Sequence, residues 1–100
     1  MPIDRDIARG LLKIHLLAQA AKGDLYGLAV IERFAKLGVV LSPGTLYPTL
    51  KAMVAEGDLR ASAAVVGGRR RLIYRITRKG RSELAEARTA LVKLGKDLLT

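Results

Sequence analysis

Apolar residues return along this chain with two different periods, and the changes of period divide it into elements. From about Asp4 to Lys22, Ile7, Leu11, Ile14, Ala18 and Ala21 recur every three or four residues, the stripe of an amphipathic helix. Leu12, Leu16 and Leu17 widen the stripe beyond one face, so this helix needs something to pack against on two sides. Gly23 is a natural stop, since only glycine takes the left-handed conformation cheaply. A second helix is expected from about Tyr26 to Leu37, with Asp24 as its N-cap. It turns Val30, Ile31, Phe34 and Leu37 inward and Glu32, Arg33 and Lys36 outward, and Gly38 ends it. In the third element Ser42 is the N-cap and Pro43 takes the first helical position, where its missing N–H is harmless. Leu46, Leu50 and Met53 share one face, with Val54 beside them. Gly44, Pro48, Lys51 and Ala55 share the opposite face, flanked by Thr45 and Tyr47. Pro48 is a local conflict, because its ring meets the carbonyl of Gly44. The expectation is a loosened first turn, the alternative a helix that begins only at Pro48. Gly57 ends this element.

From Leu59 the period falls to two. Leu59, Ala61, Ala63 and Val65 alternate with Arg60 and Ser62, and Leu72, Tyr74 and Ile76 alternate with Ile73 and Arg75. Gly67-Gly68 between the two strands supports a tight hairpin with Gly67-Gly68-Arg69-Arg70-Arg71 at its tip. A last helix is expected from about Arg78 to Leu99, capped by Thr77. Within it Leu84, Leu91 and Leu98 are seven apart, and Ala87 and Leu94 interleave. That spacing is an a/d seam, whose alternative is ordinary packing onto its own domain.

Three helices, a hairpin and a long helix make a mainly α (α+β) chain. Two short helices before an arginine-tipped hairpin describe a winged helix-turn-helix, in which the second of them enters the major groove and the hairpin is the wing. The expected division is a DNA-binding part, residues 1–77, and a C-terminal dimerisation helix, residues 78–100, packed as one compact unit. With 100 residues the chain is a single domain with a limited core, which dimerisation would support.

The net charge is +9, but its location says more than its size. Residues 1–58 hold 7 basic and 6 acidic side chains, residues 83–100 hold 3 of each, and residues 59–82 hold 8 basic and none acidic. A basic block on an otherwise balanced domain is the footprint of a polyanion. The face Gly44, Thr45, Tyr47, Pro48 and Lys51, with Ser42 at its start, suits a duplex. Its small residues allow close approach, and Thr45 and Lys51 reach phosphates or base edges. Arg69, Arg70 and Arg71 suit the backbone or a narrow minor groove. The plainer alternatives are a solvated basic surface and a partly buried core tyrosine at 47.

The stretch Leu41-Ser42-Pro43-Gly44-Thr45-Leu46-Tyr47-Pro48-Thr49-Leu50 resembles the signature of the PadR family around its recognition helix. Gly57-Asp58-Leu59 is similar to that family's lead into the wing. Gly68-Arg69-Arg70-Arg71 followed by Tyr74-Arg75-Ile76-Thr77, then Gly80, is similar to its basic wing and the step into the last helix. Leu25-Tyr26-Gly27 resembles the start of its second helix, although Leu28 stands where the family usually has tyrosine. There Tyr26 is the candidate to touch DNA in that tyrosine's stead. Ile76 in place of the family's leucine is a milder change. The resemblance covers roughly residues 10–82 and points to the smaller subfamily, with one dimerising helix. It implies a repressor or autoregulator that binds inverted repeats of double-stranded DNA as a homodimer. It also makes a small aromatic effector a candidate partner. In some small members that ligand stacks on tryptophan at the dimer centre, but this chain has no tryptophan and four aromatic residues. The expected dimer contacts are Leu11 and Ile14 with Leu84, Ala87, Leu91, Leu94 and Leu98.

Enzyme classes are disfavoured. His15 is the sole histidine and lies within an apolar helix, and no paired acids, metal-ligand spacing or phosphate loop appears. No cofactor or metal is expected. With no cysteine, disulfides and thiolate sites are excluded. No apolar run reaches the roughly 18 residues that suggest a membrane helix, and no signal-type segment opens the chain, so a cytoplasmic location is expected. The competing reading is a winged-helix module whose basic hairpin binds structured RNA or an acidic protein.

Overall fold

The six expected elements follow in order: α1 Arg5–Lys22, α2 Gly27–Lys36, α3 Pro43–Ala55, β1 Leu59–Val66, β2 Arg69–Ile76 and α4 Arg78–Leu98. They come from a computed structural model described for residues 5–100, and for side chains from residue 6. The expected helix start at Asp4 lies outside the described residues. The architecture is a mainly α winged helix-turn-helix with a two-stranded antiparallel wing.

The core face of α1 is Leu12, Leu16, Leu17 and Ala20. Its three leucines are those that widened the stripe, while Ile7 and Leu11 are 59% and 46% exposed. α1 packs against both α4 and β2, and those two neighbours set which side is buried. Val30 and Phe34 of α2, Leu46, Leu50 and Met53 of α3, Leu59, Tyr74 and Leu84 complete the core with Leu25 and Leu41.

Three expectations in this half need correcting. Gly23 follows the last residue of α1 but does not take a positive φ. Asp24 is not the cap of α2; Tyr26 holds that position in extended conformation, without a side-chain cap bond. Leu37 lies in the turn after α2 and is 58% exposed. One cause accounts for the first two. Leu25 exchanges both backbone hydrogen bonds with Tyr74, at 3.1 and 2.7 Å, as a one-residue extra strand. That pairing keeps the segment extended until Tyr26. It also brings Asp24 opposite Arg75, whose Nε and Nη2 donate to the carboxylate at 2.8 and 3.3 Å.

α3 runs unbroken through Pro48, as expected of a helix that keeps its start. Ser42 Oγ accepts from Thr45 N–H at 3.3 Å, and Thr49 Oγ1 donates to the Thr45 carbonyl at 2.8 Å. Pro48 removes the donor that the Gly44 carbonyl would use, and Gly44 is exposed. The C-terminus closes with Gly57 at φ +85°. There Gly57 N–H reaches the Val54 carbonyl at 3.0 Å and Asp58 N–H the Met53 carbonyl at 2.9 Å. This double closure needs a left-handed residue, which glycine supplies.

β1 and β2 pair from Leu59↔Ile76 to Val66↔Arg69. Gly67 and Gly68, at φ 59° and 78°, form the two-residue turn with positive φ at both positions that matches strand twist. The turn is the glycine pair alone, so Arg69, Arg70 and Arg71 belong to β2 rather than to a loop. Leu59, Ala61, Tyr74 and Ile76 face the core, whereas Val65 and Leu72, on the same face, extend past it at 75% and 54% exposure. Ile73, expected among the outward positions, is 6% exposed. The Leu25–Tyr74 bridge lays the segment before α2 alongside β2 at this point.

α4 begins against the α3–β1 corner. Thr77 caps it, accepting from Gly80 N–H at 3.0 Å while donating to the Gly57 carbonyl at 2.6 Å. A Cβ on Gly80 would strike the Asp58 carbonyl oxygen and Ile76. The fully buried Asp58 lies 3.4 Å from Lys13 Nζ and 3.3 Å from Lys79 Nζ, and Glu83 stands 3.5 Å from both lysines. Burial pushes the Asp58 carboxyl up, but Glu83, Lys79 and Lys13 outweigh it and hold it below the ordinary carboxylate value.

A group depressed on folding stabilises above its unfolded pKa, and that stabilisation is lost as pH falls through the folded value. Lys13 and Lys79 are raised from 10.5, so their share is present below that value and lost above it. Thermal unfolding followed by circular dichroism should therefore show a plateau that falls away below about pH 4 and above about pH 10.5. Asp58→Asn should lower the plateau by about 2–3 kcal/mol, less than a wholly buried pair because both lysines are partly exposed, and should flatten the acid limb. An acid limb of unchanged steepness would show that other carboxylates set it.

Candidate nucleic-acid interface

The outward face of α3 presents Gly44, Thr45, Tyr47, Pro48 and Lys51, all exposed. Ser42 is exposed too, but its hydroxyl is engaged locally: it accepts from Thr45 N–H and donates to Thr45 Oγ1 at 3.2 Å. It orients the first turn, where Thr45 sits. Tyr47 lies across the start of α2, against Gly27, where any Cβ would run into its ring. One side of that ring is thus fixed by the fold, and the residue remains 45% exposed. Burial raises the Tyr74 hydroxyl above its ordinary value, and the Tyr47 phenol adds to the shift. Leu28, in place of the resemblance's tyrosine, is 41% exposed.

The three wing arginines divide between the two faces of the hairpin. Arg70 pairs with Val65 on the face that continues the core, while Arg69 and Arg71 lie on the other. Arg71 lies over the Tyr26 ring, 5.5 Å from its centre. Tyr26 therefore supports the wing from α2 through a cation–π contact. Arg69 and Arg70 are exposed and Arg71 is half-buried.

Of the eight cations in residues 59–82, Arg75 is paired with Asp24, and Lys79 with Asp58 and Glu83. The other six, Arg60, Arg69, Arg70, Arg71, Arg78 and Arg81, make no ion pair among the described residues. Arg60, Arg78 and Arg81 were visible in the sequence only as part of a charge count. Their exposure depends on strand register and on where α4 begins, which no local signal gives.

The apolar seam separates into two parts. Leu84 is 3% exposed inside its own chain's core, so it is withdrawn from the expected dimer contacts. Ala87 is half-buried and Ile14 packs partly against the core. Leu91, Leu94 and Leu98 are 48%, 62% and 80% exposed, and Leu11 and Ile7 of α1 are exposed as well. His15 meets the Phe34 ring edge-on at 5.2 Å and 68°. Among the described residues no group of side chains could hold a metal ion.

A family model described as the transcriptional regulator PadR-like family matches residues 16–86. A transcriptional regulator of Mycobacterium tuberculosis is 39% identical over 95 residues, which are 95% of this chain and 89% of that protein. The solved structure of a PadR family regulator from Eggerthella lenta superposes with a TM-score of 0.79 at 27% identity, covering 93% of this chain and 82% of the other. A PadR-like regulator from Bacillus cereus reaches 0.84 at 24% identity, over 93% and 92% of the two chains, which shows the fold alone.

The packing of Tyr47 on Gly27 is open to a direct test. Gly27→Ala should destabilise the chain by about 1–3 kcal/mol, the usual range for forcing an atom into a filled space. In a Tyr47→Ala background the obstacle is gone, and most of that penalty should disappear in denaturant titrations. Equal penalties in both backgrounds would mean the ring does not rest there.

Proposed function

Since this chain belongs to the PadR-like family of transcriptional regulators, we propose that it binds an inverted-repeat operator in double-stranded DNA as a homodimer and acts as a repressor. The observation that carries the reading is the set of six arginines on the wing and the start of α4 that make no ion pair among the described residues, in the same small domain as the polar outer face of α3. In this reading residues 1–77 engage DNA and residues 78–100 dimerise. Thr45 and Lys51 meet base edges or phosphates in the major groove, and Gly44 and Pro48 allow the approach. Tyr47 offers a hydroxyl from a fixed ring. Ser42 holds the first turn, Arg69 and Arg70 neutralise phosphates, and Tyr26 with Arg71 holds the wing. No helix among the described residues is long and apolar enough to cross a membrane.

The dimer would bury the open seam of Leu91, Leu94 and Leu98 with Ala87, Leu11 and Ile14. Exposed leucines in a contiguous set mark an interaction surface on a small domain, and burying each is worth roughly 1.5–3 kcal/mol.

Gel shifts with duplex DNA and duplex RNA distinguish the proposal from an RNA-binding module: binding that favours RNA would overturn it. Within DNA binding, every phosphate that a variant no longer neutralises should reduce the slope of log affinity against log salt by about 0.9. Arg69→Ala with Arg70→Ala should therefore flatten the slope on operator and random duplex alike. Lys51→Ala and Thr45→Ala should instead reduce discrimination between the two, by about 1–3 kcal/mol per base contact. Leu91→Glu should sediment as a monomer and lose operator binding; a Leu91→Glu dimer with full operator affinity would remove the seam from the interface.

A further inference from the structure

We propose that Asp58 is a positioning residue for DNA binding, through which α1 and α4 fix the spacing of the two DNA-reading units in the dimer. The inference rests on the reading of the chain as a dimeric DNA-binding regulator. Three parts of the fold meet at this carboxylate. Lys13 comes from the middle of α1, Lys79 and Glu83 from the first turns of α4, and Glu56 and Asp58 from the corner between α3 and β1. The exposed leucines of the proposed seam, Leu11 and Leu91, Leu94 and Leu98, lie on α1 and α4. The polar face lies on α3, and the arginines on the wing and at the start of α4. Asp58 immediately precedes β1 and closes the end of α3 through its own N–H, so a displacement there moves the recognition helix and the wing root together.

The chemistry also favours a positioning role over a stabilising one. Asp58 has no exposure, yet neither of its carboxylate oxygens has a hydrogen-bond partner, and neither does Glu83 Oε2. The contacts that hold the cluster are ion pairs of 3.3–3.5 Å, longer than charge-assisted hydrogen bonds usually are. A buried ion pair is a weak source of stability, because desolvation offsets attraction, and an apolar set of similar volume often does as well. What the pair supplies and an apolar set does not is a requirement that three particular groups meet. Lys79 makes the requirement stricter by also donating to the Glu56 carbonyl at the end of α3.

The test uses the full chain and a duplex selected from a random-sequence library by the wild-type protein. Lys13→Met removes the α1 side of the link while keeping the side-chain stem, and Lys13 is partly exposed, so the fold should survive. The variant should unfold cooperatively and sediment as a dimer. It should bind one isolated half-site and a scrambled duplex as the wild type does. Its affinity for the intact inverted repeat should fall about tenfold, which is about 1.4 kcal/mol. Its preference for the selected spacing should flatten in a series with base pairs inserted or removed between half-sites. Asp58→Asn, where it folds, should repeat the pattern. Equal losses on half-site and intact repeat, an unchanged spacing preference, or a Lys13→Met variant that fails to fold or dimerise would each overturn the positioning role. A wild type that selects no duplex, or a site without a repeat, would instead overturn the functional reading beneath it.

Discussion

The close approach of the start of α4 to the corner between α3 and β1 is the constraint on which the other parts depend. It requires that position 80 carry no side chain, because the Asp58 carbonyl and Ile76 occupy the space a Cβ would fill. Thr77 then serves both sides of the junction, capping α4 and donating to the corner. With α4 held there, Leu84 reaches the core and the later leucines run on past it. The same approach buries Asp58, and a buried carboxylate has to be met by cations. Lys13 and Lys79 meet it, and α1 is thereby tied to a corner far from it in sequence.

A second set of contacts holds α2, α3 and the wing to one another. Tyr47 rests on Gly27, Arg71 lies over Tyr26, and Leu25 pairs with Tyr74. All three join the start of α2 to either α3 or the wing. They also remove atoms from the pool available to a ligand, since one edge of Tyr47 and one face of Tyr26 are occupied within the chain. Lys51 and Arg70 are exposed, whereas Tyr47, Tyr26 and Arg71 are engaged within the chain.

The exposed apolar side chains follow from size. A domain of 100 residues cannot enclose every apolar residue of two long helices and a hairpin around one core. The remainder is spread over α1, the distal part of α4 and the stretch from Leu28 to Val40 around α2, and the wing carries a smaller share at Val65 and Leu72. The basic segment from residue 59 to 82 is mostly exposed, and six of its eight cations make no ion pair among the described residues.

Most of the architecture could be read from the chain alone, because it rests on local signals. Period changes, the caps at Ser42 and Thr77, and the Gly67-Gly68 turn act within a few residues, and each element lies where they place it. The glycine turn of the wing and the outer face of α3 were legible for the same reason, whereas the three arginines expected at the tip belong to β2. The sequence did not determine which of several apolar faces is buried, because that depends on the direction from which a distant element arrives. α1 turned Leu12 and Leu16 inward rather than Ile7 and Leu11, and Ile73 is buried in the stretch of β2 that the segment around Leu25 pairs with. Asp24 lost its capping role to a strand pairing with residues some fifty positions away. Leu84 and Leu91 occupy equivalent positions in one heptad pattern, yet one is core and the other surface. A repeat fixes the face of a helix on which a residue stands, but the residue is buried only as far along the axis as its neighbour extends, and that reach is a tertiary property.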